Sequence, residues 1–296
     1  MAVLSADVRR IAEPRDALRM ADQMVPARPS LDLRLDGRHA GETVFVVGSG
    51  PQLAAVGRGT LERLESLTTI AVNKVFYRLR PTYFLSAYVG EMMLAVRRIP
   101  DATLLHMRAV HEPPLIPGVI PLRRAMFEPG MDLPRRLDAD CPTLLTRFNV
   151  ALGATHLAYV LGARRIVFLG VEQRDQLHFW NFDEDVRRDI RADLVDRGDP
   201  DILRVDHPYA SLERDLAALD RSVDDCRRPF YDVDHTPTFR SYFDILARNG
   251  VEVVATTPES VVADAGARVA RLEELLSEVP PHDSSAAARR SVAAPS

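Results

Sequence analysis

Residues 42–53 read ETVFVVGSGPQL. The apolar run Glu42–Val47 is short and rich in β-branched residues, as a strand buried on both faces requires. It stops at Gly48-Ser49-Gly50-Pro51, which suits a sharp strand-to-helix turn, and helix-like spacing follows through Leu61–Leu67. The same unit recurs along the chain. Thr69–Val72 runs into Asn73, and Thr82–Leu85 follows Pro81. Val150–Leu161 places apolar residues at helical spacing, Gly162 suits a helix C-cap, and Arg165–Leu169 (RIVFL) is another buried strand. Phe239–Asn249 reads as a helix ended by Gly250, ahead of the strand Val251–Ala255. Alternation of short apolar strands with helices predicts an α/β fold: Rossmann-like, a mostly parallel sheet with helices on both faces.

Around this frame the chain divides unevenly. Residues 1–40 are rich in Arg, Asp and Pro, with helical periodicity around Val8–Met24, and read as an N-terminal helical extension. Residues 41–265 form the main domain. Within it, the Pro-rich stretch Ile99–Pro142 is expected to hold one edge strand near Thr103–Leu105 and irregular loops. Residues 172–236 are highly charged and read as a helical insert, a lid or small lobe, with helices near Asp185–Asp196 and Ser211–Asp225. Ser260–Val279 reads as a polar helix. Residues 266–296 are therefore a C-terminal helix and a disordered tail rich in Pro, Ser and Ala.

The composition bounds the function. With 296 residues, 46% of them hydrophobic and 27% charged, the chain can bury a substantial core. A formal net charge of −4 argues against a nucleic-acid partner or a polybasic membrane patch. No apolar run reaches membrane-spanning length and no signal-peptide pattern opens the chain, so a cytoplasmic protein without an integral membrane segment is expected. The two cysteines, Cys141 and Cys226, lack C-x-x-C spacing, which disfavours a disulfide scaffold or a zinc cluster. Of 38 basic residues only Lys74 is a lysine, a bias that genomic base composition accounts for and that carries no functional weight by itself.

Chemistry concentrates at strand exits, where open parallel sheets bind ligands. Gly48, Ser49 and Gly50 would let the backbone approach a phosphate or nucleotide, or would simply make a tight turn. The dinucleotide fingerprint is incomplete, because its third glycine is replaced by Leu53. Asn73 could meet a ribose hydroxyl or base edge, or cap a turn. Asn149 is placed to cap the next helix at the mouth of the sheet. Gly170 and Glu172 follow the RIVFL strand, where a carboxylate could bind a sugar hydroxyl or act as a base. His178, in DQLHFWNF, is a candidate base or a histidine packed among aromatics beside Phe179 and Trp180. His156 reads as structural, and His207 and His235 as weaker candidates. Arg147 and Arg174 are candidates for stabilising a leaving phosphate.

Four stretches, GETVFVVGSGPQLAAV, TTIAVNKVFYRLRPTYF, NVALGATHLAYVLGARRIVFLGVE and GVEVVATTPES, occur in this order over roughly residues 35 to 265. In that order they resemble the superfamily of bacterial lipooligosaccharide sialyltransferases and Maf flagellin glycosyltransferases, to which 6-hydroxymethylpterin diphosphokinase-like proteins are related. Those proteins share a G-x-G-P-S-L loop, a strand ending in Asn, a P-x-Y strand, a strand leaving through Gly to an acid, and a late strand with a Pro/Ser exit. The chain departs from the pattern with Gln52 in place of Ser, Asn149 in place of Ser or Thr, and Glu172 in place of Asp. Ser86-Ala87-Tyr88 fills the stretch where an acid often follows the P-x-Y strand.

The resemblance implies a glycosyltransferase that takes a sugar, such as a nonulosonic acid, from a CMP-linked donor and passes it to a glycan or protein hydroxyl. By it, Gly48, Ser49, Gly50, Pro51, Asn73 and Asn149 line the nucleotide site and His178 is the catalytic base; the residues at the RIVFL exit add Gly170 to the nucleotide site and Glu172 as a second catalytic candidate. Pro258, Glu259 and Ser260 lie at the exit of the last strand. No metal site and no cofactor is required in this reading, and a homo-oligomer is compatible with it. Two alternatives stand beside it: an ATP- and Mg-dependent pyrophosphokinase-like phosphotransferase, and a non-catalytic nucleotide-binding member of the group.

Overall fold

A computed structural model describes residues 35–108, 118–138, 142–147, 149–196, 212–227 and 234–280. Residues 1–34, the tail from residue 281, Cys141 and His207 lie outside the described residues, and with them most of the expected N-terminal extension.

Nine strands form one sheet, all parallel: β1 Thr43–Val47, β2 Thr69–Val72, β3 Tyr83–Ser86, β4 Thr103–Arg108, β5 Ile120–Met126, β6 Thr143–Thr146, β7 Arg165–Leu169, β8 Glu252–Ala255 and β9 Arg268–Val269. Their order is β6-β5-β4-β3-β2-β1-β7-β8-β9. The chain thus lays down strands outward from β1 to β6, then returns to pair β7 with the free side of β1. The order reverses between β1 and β7, and in such sheets a crevice opens at the carboxyl ends of the two strands.

Side chains alternate along β1, and both faces are covered. Val44 and Val46 face one apolar core, whereas Phe45 and Val47 face the other. The first core is closed by α3 (Val150–Val160) and α7 (Thr236–Arg248). The second is closed by α1 (Arg58–Glu65), α2 (Val89–Arg98), α4 (Glu184–Asp196) and α9 (Leu272–Glu278). Helix α3 is apolar all round, VALGATHLAYV, and every residue from Ala151 to Val160 is buried, as that composition demands.

Three local expectations change. Ile99–Pro142 holds two interior strands, β4 and β5, rather than one edge strand; the sheet continues to β6, which is the edge. The interrupted IPLRRAM of β5 hid it, because its burial is partial and irregular. The helix expected over Ser211–Asp225 breaks at Asp220–Ser222 into α5 (Leu212–Leu219) and α6 (Val223–Cys226), where Ser222 caps α6 by accepting from Asp225 N at 3.1 Å. The polar helix expected over Ser260–Val279 is split by Gly266 at φ +106 into α8 (Val261–Asp264) and α9, with β9 between them. Inside the charged stretch, α4 is fastened to the sheet layer. Val186, Ile190 and Leu194 are buried, and Asp193 accepts from Tyr77 Oη at 2.6 Å and Arg98 Nε at 2.5 Å.

Candidate functional site

At the switch between β1 and β7 the two strand exits touch. Gly48 N donates to Leu169 O, and Gly50 N donates to Gly170 O, both at 2.8 Å, so the ladder runs on past the strands. A Cβ at Gly48 would lie 2.4 Å from Gly170 O, inside any allowed contact. Glycine is required here because two backbones meet. At Gly50 the missing side chain makes room for Glu172, whose Oε2 would sit 1.7 Å from a Cβ. The glycines of this loop therefore serve the approach of the β7 exit, at the turn where the sequence allowed either a ligand or simply a tight turn.

Glu172 is buried. Its Oε1 accepts from Gln52 N at 2.8 Å, and its Oε2 has no hydrogen-bond partner. Burial raises its pKa above the usual carboxylate range; the amides of Gln52 and of Glu172 itself work against that rise, and Asp175 adds to it. Its carbonyl accepts from Val261 N at 2.9 Å, which draws in the β8 exit. Gln52 closes the same junction. Its Oε1 accepts from Thr256 Oγ1 at 2.8 Å, and its Nε2 donates to Thr256 O at 3.1 Å. Gln52 is thus a strut between the β1 and β8 exits.

On the other side of β1, Ser49 gathers the polar groups. Asn73 Nδ2 donates to Ser49 Oγ at 3.4 Å, and Ser49 Oγ lies 3.2 Å from His178 Nδ1. The direction of the Ser49–His178 contact follows the tautomer of the imidazole, because the serine hydroxyl can accept from Asn73 and still either donate to or accept from the ring. Asn73 is held at φ +58, a left-handed conformation that Asn tolerates better than most residues. The backbone of the His178 turn is pinned by Phe179 N donating to Ser49 O at 3.0 Å and by Asn181 Oδ1 accepting from His178 N at 2.7 Å. His178 stacks on Trp180, with ring centroids 4.2 Å apart. The packing among aromatics is thus realised, with one ring nitrogen at the Ser49 hydroxyl. Burial first, and the nearby Lys74 ammonium second, lower its pKa to about 4, so the imidazole is neutral at physiological pH.

A cation stands beside this cluster. Lys74 follows Asn73 at the β2 exit, and its Nζ lies 3.1 Å from Glu91 Oε1 in the first turn of α2 and 5.7 Å from the Trp180 ring centroid. Glu91 Oε2 accepts from Ser86 Oγ at 2.7 Å. Sequence reasoning passed over Lys74, Glu91, Ser86 and the role of Gln52; the signal available was the isolation of one lysine among arginines.

The structure gathers Gly48, Ser49, Gly50, Pro51, Asn73, Gly170, Glu172 and His178 around the two exits. Asn149 stands one step away. Its Oδ1 caps α3 by accepting from Ala151 N at 2.9 Å, and its Nδ2 donates to Gln173 Oε1 at 2.7 Å. Arg174 is committed to both oxygens of Asp264 at 2.9 Å, and Arg147 lies 3.8 Å from Glu128. Pro258 and Glu259 are exposed, whereas Ser260 is buried as the cap of α8. His156 is structural: its Nδ1 accepts from Leu145 N at 2.9 Å and its Nε2 donates to Pro134 O at 2.8 Å. Among the described residues no group of three or more His, Cys, Asp or Glu side chains could hold a metal ion, and no helix is long and apolar enough to cross a membrane.

No protein-family model and no curated protein matches this chain.

Proposed function

We propose that this chain is a glycosyltransferase that binds a CMP-linked sugar, such as a nonulosonic acid, in the crevice at the exits of β1, β2 and β7, and transfers it to a hydroxyl of a glycan or protein. One observation carries the reading. Ser49, Asn73 and His178, singled out in separate stretches of sequence, meet at the β1 exit, and Glu172 lies on the other side of that exit, beside the reversal point of a parallel sheet, where such folds bind nucleotides. The order of the four family-like stretches supports it.

In this reading the acceptor oxygen attacks the anomeric carbon as the bond from that carbon to the donor phosphate breaks, with inversion. The hydroxyl proton passes to the His178 imidazole, directly or through Ser49, and the phosphate leaves as an anion. His178 suits the base role because it is neutral, partly exposed and oriented by Ser49. Glu172 holds the β1 loop through Gln52 N and is a positioning residue.

The test is a thermal-shift panel of CMP, CDP, UDP, GDP and ATP, each with and without Mg²⁺, because a ligand that binds only the native state raises Tm by mass action. Metal-independent stabilisation by CMP is expected, and His178→Ala is expected to keep that stabilisation while losing turnover. Stabilisation by ATP only with Mg²⁺ would replace this reading with the phosphotransferase. A folded protein that responds to no nucleotide would rule out both.

A further inference from the structure

Lys74 is the only lysine among 38 basic residues. A compositional drift toward arginine proceeds freely wherever either cation serves, so the one position that keeps lysine is informative. That position lies in the crevice, directly after Asn73 and beside the β1 exit. Its side chain is 20% exposed, and Glu91 holds its ammonium at 3.1 Å.

The plainer explanation is an ion pair that ties the start of α2 to the β2 exit. Arginine would serve that purpose at least as well, since a guanidinium grips a carboxylate through two parallel hydrogen bonds and stacks on an aromatic ring such as Trp180. The pairing alone therefore does not account for lysine. A lysine ammonium is compact and carries three donors on a flexible stem. Glu91 Oε1 takes one of them. Glu91 is itself fixed, with its second oxygen accepting from Ser86 Oγ at 2.7 Å. The result is a positive point charge held by a buried carboxylate, 5.7 Å from the centroid of the Trp180 ring on which His178 stacks and near enough to His178 to act on its charge.

We propose that Lys74 is the anion seat of this crevice: its ammonium takes a phosphate oxygen of the ligand and fixes the charged end of that ligand against Asn73, Ser49 and His178. The proposal rests on the reading of the crevice as a nucleotide-sugar site, and it names the residue that holds the donor phosphate. It also couples binding to chemistry. The Lys74 charge is one of the two influences that disfavour the imidazolium of His178. A bound phosphate offsets that charge, so the imidazole becomes a stronger base once the donor is seated.

The single lysine makes the test simple, because acetylation with an amine-reactive ester marks one side chain in the whole protein. The modified residue resists trypsin, and the uncut peptide from Leu64 to Arg78 is read by mass spectrometry, apart from the chain's α-amino group. Lys74 is expected to react in the native protein. At CMP or pyrophosphate ten times the midpoint of its thermal-shift titration, acetylation should slow about tenfold by mass action, and cytidine, which lacks the phosphate, should leave the rate unchanged.

A lysine that reacts only after denaturation means a closed seat, and the proposal fails. An unchanged rate under CMP that nonetheless raises Tm overturns the anion seat and leaves the glycosyltransferase reading standing. Protection by pyrophosphate without any effect of CMP on Tm supports the seat and removes that reading. Equal protection by cytidine and CMP points to shielding by the nucleoside and overturns the proposal. Lys74→Met, checked as folded by circular dichroism, should weaken CMP binding and spare cytidine binding; CMP binding at native strength would overturn the proposal independently of the labelling.

Discussion

Substituting alanine for Gly48 and for Gly50 distinguishes two kinds of crowding. At Gly48 the obstacle is the backbone oxygen of Gly170, which cannot turn aside. At Gly50 the nearest obstacle is the Glu172 carboxyl, the end of a side chain. Each substitution is expected to cost about 1–3 kcal/mol as overpacking. In urea unfolding, Glu172→Ala should recover part of the loss in Gly50→Ala and none of it in Gly48→Ala. Equal recovery in both would mean that Glu172 is not what fills the space at Gly50. The sequence marked these glycines, and Glu172, as places of chemical interest, but it did not reveal that they answer one another. Such pairings join residues more than a hundred positions apart, and no local pattern encodes them. Gln52 illustrates the same limit. Beside a family pattern it is a departure, and only the meeting of the β1 and β8 exits shows it as a strut.

Elements were legible where one physical cause dominated. Strands β1, β2, β7 and β8 are short apolar runs buried on both faces, and their positions follow from that requirement. Strands β5 and β6 lie toward one edge of the sheet, where cover is thinner. There Arg123 and Arg124 interrupt β5, and β6 (TLLT) has an apolar residue only at its two central positions. The helix caps read well because a cap is a local hydrogen bond. Asn149 accepts from Ala151 N in the role its position predicts, and it also pairs with Gln173, which is held at φ +51. Asn149→Ala should lower stability by about 1 kcal/mol through loss of the cap. Asn149→Asp keeps the cap acceptor and loses only the donation to Gln173, so it should be the milder of the two in chemical denaturation. If Asp is as costly as Ala, the amide pair with Gln173 outweighs the cap.

At the scale of the molecule, two described histidines contribute most clearly to the response to acid, and His235 is lowered by burial in the same direction. His156 and His178 are both lowered by burial to about 4 in the folded protein, against an ordinary value of 6.5. As pH falls below about 6.5 the unfolded chain takes up these protons before the native one does, so stability is lost progressively down to about pH 4 and is unaffected above about pH 7. The cost at the acid end is on the order of 3 kcal/mol for each histidine. Glu172 works the other way. Its raised pKa lets the native state bind a proton first, which returns a part of the loss. Tm measured from about pH 7 down to about pH 4 should therefore fall with the midpoint between those limits, and a flat profile would show that the two imidazoles are not held neutral by the fold.

The reversal of strand order between β1 and β7 also bears on how the chain is made. Thr43 pairs with Arg165, and no earlier strand can occupy that side of β1. During synthesis, β1 to β6 emerge first, and the most apolar strand of the sheet waits with an unpaired edge until RIVFL leaves the ribosome. Pairings between distant segments are slow, and open strand edges are where nascent chains associate wrongly. The geometry that joins the β1 and β7 exits in the finished protein is thus, for a growing chain, an interval of exposure that ends only with the seventh strand.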